Sequence, residues 1–204
     1  MDRRTRGPGA QHELRREQIA DAVLTIVAER GLAAVSLSEV AAQAGISPGR
    51  VQHYFPAKQQ LIEAAFDRGN ELSSARIRLR VGGDPGSAAP RTVLTTVLTE
   101  LIPYDDATRA HMRVRQSFHA LAFADEAIAA RLRALYADFH RQLAGLLSAD
   151  QRAGRAVADD PREAVLSLTA LAEGLAAYVL IDLTPAATAR ERLLRAVAAL
   201  YTDL

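Results

Sequence analysis

Apolar residues in this chain recur at helical spacing from Leu14 onward, and no stretch alternates apolar and polar residues as a half-buried strand does. This periodicity constrains the fold more than any other feature. Alanine, leucine and arginine are abundant, and these residues cost the least free energy in a helix. We therefore predict an all-α protein of about nine helices.

Start and stop signals divide the N-terminal part into short helices. The apolar residues within 14–27 form one helical face, and Gly31 follows as a C-cap. Ser36 and Glu39 have the spacing of a capping box, which predicts that a second helix begins there. Gly45 can adopt the left-handed conformation and is predicted to end that helix.

A third helix is predicted to begin with Ser47 as its N-cap and Pro48 at its first position, and Pro56 ends it. A fourth helix is predicted over about residues 57–80. The segment VGGDPGSAAP, residues 81–90, is the clearest break in the chain, and we interpret it as a linker. Beyond it we predict helices at 90–103, 106–123, 125–148, 161–182 and 186–203.

These signals predict three parts. Residues 1–12 contain several arginines, glycine and proline, and are predicted to form a disordered basic arm. Residues 13–58 form a three-helix unit with a helix-turn-helix, and the fourth helix connects it onward. Residues 81–204 form a larger C-terminal helical domain.

Composition excludes several classes of function. The chain has no cysteine, which excludes disulfides, thiol catalysis and cysteine-based zinc sites. No apolar run approaches the ~20 residues of a membrane helix, and the N-terminus lacks a signal-peptide core. We therefore expect a cytoplasmic protein with no membrane partner. A phosphate-binding glycine loop and a nucleophile elbow are missing, so we expect no enzyme activity, no cofactor and no metal.

The second and third helices have the form of a helix-turn-helix. Ala41 is small where the helices would cross, and Gly45 lies in the turn. The third helix would then present Arg50, Gln52 and His53 outward, as a helix that enters the DNA major groove does. The same arrangement also occurs in all-helical proteins with no DNA role, so spacing alone leaves both possibilities open.

Residues 15–62 resemble the N-terminal domain of the TetR family of transcriptional regulators. The stretch AGISPGRVQHYFPAK contains the family's Ala-Gly turn, Ser-x-Gly, aromatic-rich helix and following lysine. The resemblance implies DNA contacts by several residues of this unit. They are Ser36, Ser47, Pro48, Gly49, Arg50, Gln52, His53, Tyr54 and Lys58.

The implied contacts have different chemistry. Lys58 is the only lysine among 25 basic residues, and its position implies a phosphate contact. Gly49 would let the backbone approach the DNA, and Arg50 suits phosphate or guanine. Gln52 stands where the family often has tyrosine, so the operator sequence cannot be taken from other members. Phe55 is expected in the core.

The resemblance also implies a ligand pocket among the middle helices. The candidates mix apolar surface with a few polar groups, as ligand sites do. They are His111, Arg115, Phe118, His119, Phe123, Tyr136, Phe139, His140 and Tyr178. The histidines lack compact metal-ligand spacing, and the effector is an unknown small molecule.

The last two helices are implied to form a homodimer interface. Its predicted residues are Leu168, Leu171, Leu175, Val179, Leu193, Val197 and Leu200. The resemblance implies a ligand-responsive regulator, with repressor favoured over activator, that binds a palindromic operator in double-stranded DNA. The alternative is a homodimeric small-molecule-binding or interaction protein that keeps the fold without specific DNA binding.

Overall fold

The structure is a computed structural model that describes residues 8–202. Within that range it contains nine α-helices, two short 3-10 turns and one isolated β-bridge, which confirms the all-α prediction. The helices are α1 Pro8–Arg30, α2 Leu37–Ala44, α3 Pro48–Tyr54, α4 Lys58–Arg80, α5 Pro90–Glu100, α6 Asp106–Ala122, α7 Glu126–Arg152, α8 Pro161–Leu180 and α9 Ala186–Ala198.

The capping signals lie where the sequence predicts them. The Ser36 hydroxyl accepts a hydrogen bond from the Glu39 amide at 3.2 Å, and the Ser47 hydroxyl accepts one from the Arg50 amide at 3.3 Å. Gly45 ends α2 with φ 65°, in the left-handed region where glycine carries no β-carbon penalty. Local chemistry therefore sets the bounds of α2 and α3.

The two ends of the chain differ from the prediction. α1 begins at Pro8, so residues 8–12 of the predicted arm are helical, with proline at the first position where its missing N–H costs nothing. Residues 1–7 lie outside the described residues. α9 ends at Ala198, earlier than predicted, because the chain then turns so that Tyr201 pairs with Ala156.

Two apolar clusters hold the fold together, and α6 and α7 contribute to both. One cluster packs α1 to α4 against residues such as Val114, Phe118 and Ile128 of α6 and α7. The other packs α5, α8 and α9 against Met112 of α6 and Leu147 of α7. The break at residue 81 therefore does not coincide with a division between the cores, and the domain boundaries stay a prediction.

One described helix, α8, is long and apolar enough to cross a membrane, which corrects the expectation that no run approaches that length. Its inner face, with Val165 and Ala176, packs in the second core cluster. A core helix of a soluble protein has this composition too. Its outer face also carries apolar residues, and that face is described below.

Candidate nucleic-acid interface and ligand cavity

α3 is held to the core by one side, which leaves its polar side exposed. Val51 is fully buried and Phe55 is 1% exposed, so the pair anchors the seven-residue helix to the first core cluster. Gly49, Arg50 and Gln52 lie exposed on the other side. The remaining exposed members of the predicted set are Ser36, Ser47, Pro48, His53 and Lys58.

Lys58 is the first residue of α4 and is exposed. Ala57 precedes it as N-cap, and its amide donates to the Gln60 side chain at 3.3 Å. The lysine thus stands where α4 meets the surface beside α3. A flexible ammonium there suits a phosphate, which it binds as a point charge.

Tyr54 is only half-buried and is tied to α1. Its ring centroid lies 4.8 Å from that of His12 and 5.4 Å from that of His53. Arg16 donates to the Tyr54 carbonyl at 3.1 Å and lies 4.3 Å above the Phe55 ring. The first turns of α1 therefore help to fix the end of α3, a contact that the sequence analysis did not predict.

A cavity of about 260 Å³ lies among α4, α5, α6 and α7. Four of the predicted pocket residues line it, namely His111, Arg115, Tyr136 and Phe139. α4 contributes further lining residues that were not predicted. They include Phe66, Asn70, Ser73 and Ile77.

A buried polar network stands at one side of the cavity and joins α6, α7 and α8. Arg115 donates to the Tyr136 hydroxyl at 2.9 Å and to the Glu173 carboxylate at 2.7 Å, and Tyr136 donates to Glu173. The His119 ring nitrogen Nε2 lies 3.1 Å from the Tyr136 oxygen. Because burial lowers the pKa of His119 and raises that of Tyr136, both are neutral at neutral pH.

His111 and Arg115 each hold a buried nitrogen with no hydrogen-bond partner among the described residues. These atoms are Nε2 of His111 and Nε of Arg115, one helical turn apart on α6. Burial, together with the positive charge of Arg115, lowers the pKa of His111 to about 3. His111 is therefore neutral at neutral pH, and its ring lies against Gly69 of α4.

Three acidic residues of the site were missed by the sequence analysis, and Asp138 of α7, which lines the cavity, is one of them. Glu173 belongs to the network above, and Glu100 lines the cavity with a side chain that is 1% exposed. Glu100 accepts hydrogen bonds from Arg76 at 2.5 Å and Arg80 at 2.7 Å. Each glutamate is the single charge in a long apolar stretch, and that signal could have identified both.

Five predicted pocket residues lie elsewhere. Phe118 is fully buried and stacks on Phe66 at 4.5 Å, so it belongs to the core. Phe123 is 92% exposed at the end of α6, and Tyr178 is half exposed on α8. His119 and His140 do not line the cavity, although each ring lies within 6 Å of the Tyr136 ring.

Most of the predicted dimer residues pack inside the chain itself. Leu168, Leu175, Val179, Leu193 and Val197 are buried in the second core cluster, and Leu200 packs against it. Only Leu171 is exposed. Because α8 is apolar on two faces, the sequence periodicity did not show which face packs inside the chain. Its solvent face carries Leu166, Ala170, Leu171, Gly174, Tyr178 and, just beyond, Ile181.

The fold and the site together define a helix-turn-helix protein with a separate ligand cavity. Residues 19–65 match the model of bacterial regulatory proteins of the tetR family, and residues 90–202 match that of the BetI-type transcriptional repressor C-terminal domain. The second match covers more than half of the chain. The chain belongs to the TetR family of transcriptional regulators, which are not enzymes.

Individual relatives agree over most of their length. The transcriptional regulator PksA of Bacillus subtilis is 28% identical over 91% of this chain and 87% of its own. A TetR-family regulator from Rhodococcus sp. superposes with a TM-score of 0.77 at 27% identity, over 93% of this chain and 100% of its own. A transcriptional regulator from Saccharomonospora viridis in complex with choline has a TM-score of 0.80 at 20% identity. The match covers 94% of this chain and 100% of that one.

Proposed function

We propose that this protein is a ligand-responsive repressor that binds a palindromic operator as a homodimer through α3. The exposed face of α3, with Gly49, Arg50 and Gln52 opposite the buried Val51, is the observation that carries the proposal. The BetI-type repressor match favours repression over activation. Action on DNA implies a cytoplasmic location.

The homodimer is supported by the solvent face of α8. A row of exposed apolar residues four apart, Leu166, Ala170, Gly174 and Tyr178, is unusual on a chain that acts alone. Gly174 has no atom within 4 Å of where its β-carbon would be, so a second helix can approach closely there. A two-fold pair would place two α3 helices on half-sites about 34–36 Å apart.

Ligand response requires a mechanical link between the cavity and the DNA surface, and α4 has the right form for it. This unbroken helix of 23 residues begins with Lys58 at the proposed DNA surface and lines the cavity with Asn70, Ser73 and Ile77. A ligand that favours one position of α4 would change the spacing of the two α3 helices. It shifts the equilibrium only by its differential affinity for the two states.

The competing possibility is a ligand-binding homodimer without specific DNA binding. A fluorescence anisotropy titration of the full-length protein against its own upstream DNA, with unrelated DNA as competitor and at two salt concentrations, separates the two. We expect specific binding to an inverted repeat, with affinity that falls steeply with salt. If binding to the upstream DNA is weak and independent of sequence, bound fragments are selected from the whole genome. The same weak, sequence-independent binding in those fragments would contradict the repressor.

The ligand itself does not follow from the likeness to the choline complex, because identity at that level shows the fold alone. The charged and polar groups around this cavity are the evidence for its chemical class.

A further inference from the structure

We propose that the cavity binds a compact apolar molecule that carries one carboxylate group, held by the unpartnered nitrogens of Arg115 and His111. This inference rests on the proposed ligand-responsive function, because it names the chemical class of the effector. The same observations disfavour a quaternary ammonium ligand.

The first argument is hydrogen bonding. Arg115 already donates through one terminal nitrogen to Tyr136 and Glu173, but its Nε–H is buried with no partner among residues 8–202. An arginine Nε is a donor only, so it needs an acceptor. His111 Nε2, one turn earlier on the same helix, is a second buried atom without a partner. A buried donor that lacks a partner is costly, and a carboxylate oxygen would satisfy the Arg115 Nε–H. It would satisfy His111 Nε2 as well in the tautomer that carries the ring proton on that nitrogen.

The second argument is charge. Three ionised side chains line the cavity, namely Glu100, Arg115 and Asp138. Their ion-pair partners are Arg76, Arg80, Glu173 and Arg141. Together the lining residues and their partners comprise four arginines and three carboxylates, so one positive charge is in excess. That excess attracts a single negative charge and repels a cation.

The third argument concerns what a cationic ligand would meet. The Glu100 carboxylate is held by Arg76 and Arg80, and Asp138 pairs with Arg141 and accepts from Gln142 at 2.7 Å. Neither is free to balance a second cation. Quaternary ammonium groups are otherwise bound by aromatic faces.

Two of the three phenylalanine and tyrosine rings that line the cavity already have partners, which leaves only Phe139. The Arg115 guanidinium lies 5.4 Å from the centre of the Tyr136 ring, so that ring already faces a cation. Phe66 stacks on Phe118. An ammonium group placed beside Tyr136 would meet the like charge of Arg115.

The remainder of the ligand follows from the lining. Ile77, Val97, Leu101, Met112 and Leu132 surround the cavity with apolar side chains. The volume of about 260 Å³ lies below the ~300–1,000 Å³ of drug-sized sites, so the apolar body is small.

Calorimetry of the full-length protein tests the class directly and needs no operator. The probes are hexanoate, octanoate and 3-phenylpropanoate, each paired with its primary amide and with a trimethylammonium analogue of the same body. We expect at least one carboxylate to bind at least about tenfold more tightly than both of its partners. Equal or tighter binding of the ammonium probes, or no binding by any carboxylate, would overturn the proposal.

Variants locate the binding group. Arg115→Lys keeps the charge beside Glu173 and removes the Nε donor, and we expect a loss of about tenfold or more in carboxylate affinity. His111→Asn should lower the affinity, whereas His111→Gln, whose amide nitrogen reaches the place of Nε2, should restore part of it. Arg133→Gln, an exposed residue paired with Glu126 outside the cavity, is the matched charge control. Unchanged affinity in both Arg115→Lys and His111→Asn would overturn the assignment.

The two proposals fail separately. Carboxylate binding without specific DNA binding would contradict the repressor and leave the ligand class intact. Specific operator binding without any preference for carboxylates would contradict the ligand class and leave the repressor intact.

Discussion

The ring of His111 on α6 lies so close to Gly69 on α4 that a β-carbon at position 69 would be 2.0 Å from the His111 Cδ2 atom. No side chain fits there unless the His111 ring or one of the two helices moves. The contact joins the cavity wall to the helix that begins with Lys58. In the proposed mechanism it is one of the points where ligand binding would act on α4.

Gly69→Ala should therefore displace the His111 ring or force α4 and α6 apart. We expect a loss of roughly 1–3 kcal/mol in the free energy of unfolding, as for overpacking of a core, together with weaker operator binding. Urea unfolding and anisotropy measure the two effects. Gly145→Ala on α7 is the control, since nothing lies within 4 Å of its β-carbon position, and it should gain about 0.5–1 kcal/mol. Equal changes in stability and operator affinity in the two variants would show that the contact between Gly69 and His111 is not tight.

His111 should make the protein less stable in mild acid. Its pKa falls from an unfolded value of 6.5 to about 3, chiefly through burial, so the unfolded chain takes up a proton first. The stabilisation is complete above pH 6.5 and is lost as the pH falls toward 3, by at most about 1.4 kcal/mol per pH unit. His111→Asn should flatten the slope between pH 6.5 and 5 in urea unfolding. An unchanged slope would show that His111 titrates normally.

Lys58→Ala should weaken DNA binding to a similar extent on every sequence. A phosphate contact carries no sequence information, so specificity should persist. The slope of log affinity against log salt should fall by about one for each DNA-bound protomer. Anisotropy titrations at several salt concentrations measure it, with the exposed Arg133→Ala on α7 as control. An intact salt slope would remove Lys58 from the interface.

Gln52→Ala should change which bases are preferred. An exposed glutamine on α3 can pair with adenine through two hydrogen bonds, a contact worth about 1–3 kcal/mol of discrimination. Selection from a randomised operator should show relaxed preference at particular base pairs, symmetric about the centre. A uniform loss across all positions would instead assign Gln52 to a phosphate.

Tyr178→Glu should separate the proposed dimer. It places a charge on the exposed apolar face of α8, where the partner's face would have to bury it. Light scattering should show dimer dissociation at a protein concentration at least about tenfold higher than for the unaltered chain. Leu79→Glu, at an 82% exposed leucine on α4, is the control and should remain dimeric.

Local signals predicted the bounds of the short helices well, because Ser36, Gly45 and Ser47 act on backbone groups a few residues away. The face of α8 that packs against the core was harder to predict. Sequence periodicity shows that α8 is apolar, but which of its two apolar faces packs inward depends on α7 and α9. Only part of the cavity lining was predicted, because residues such as Phe66 of α4 come to line it only through tertiary packing.

The shared role of α6 and α7 bears on attempts to move the DNA-binding part to another protein. Val114, Phe118 and Ile128 complete the apolar cluster beneath α1 to α4, although they follow the linker in sequence. A fragment cut at residue 81 would leave that underside bare and prone to aggregate. A chimaera that respects the packing would carry α6 and the first half of α7 along with the first four helices, and so would inherit part of the ligand cavity with them.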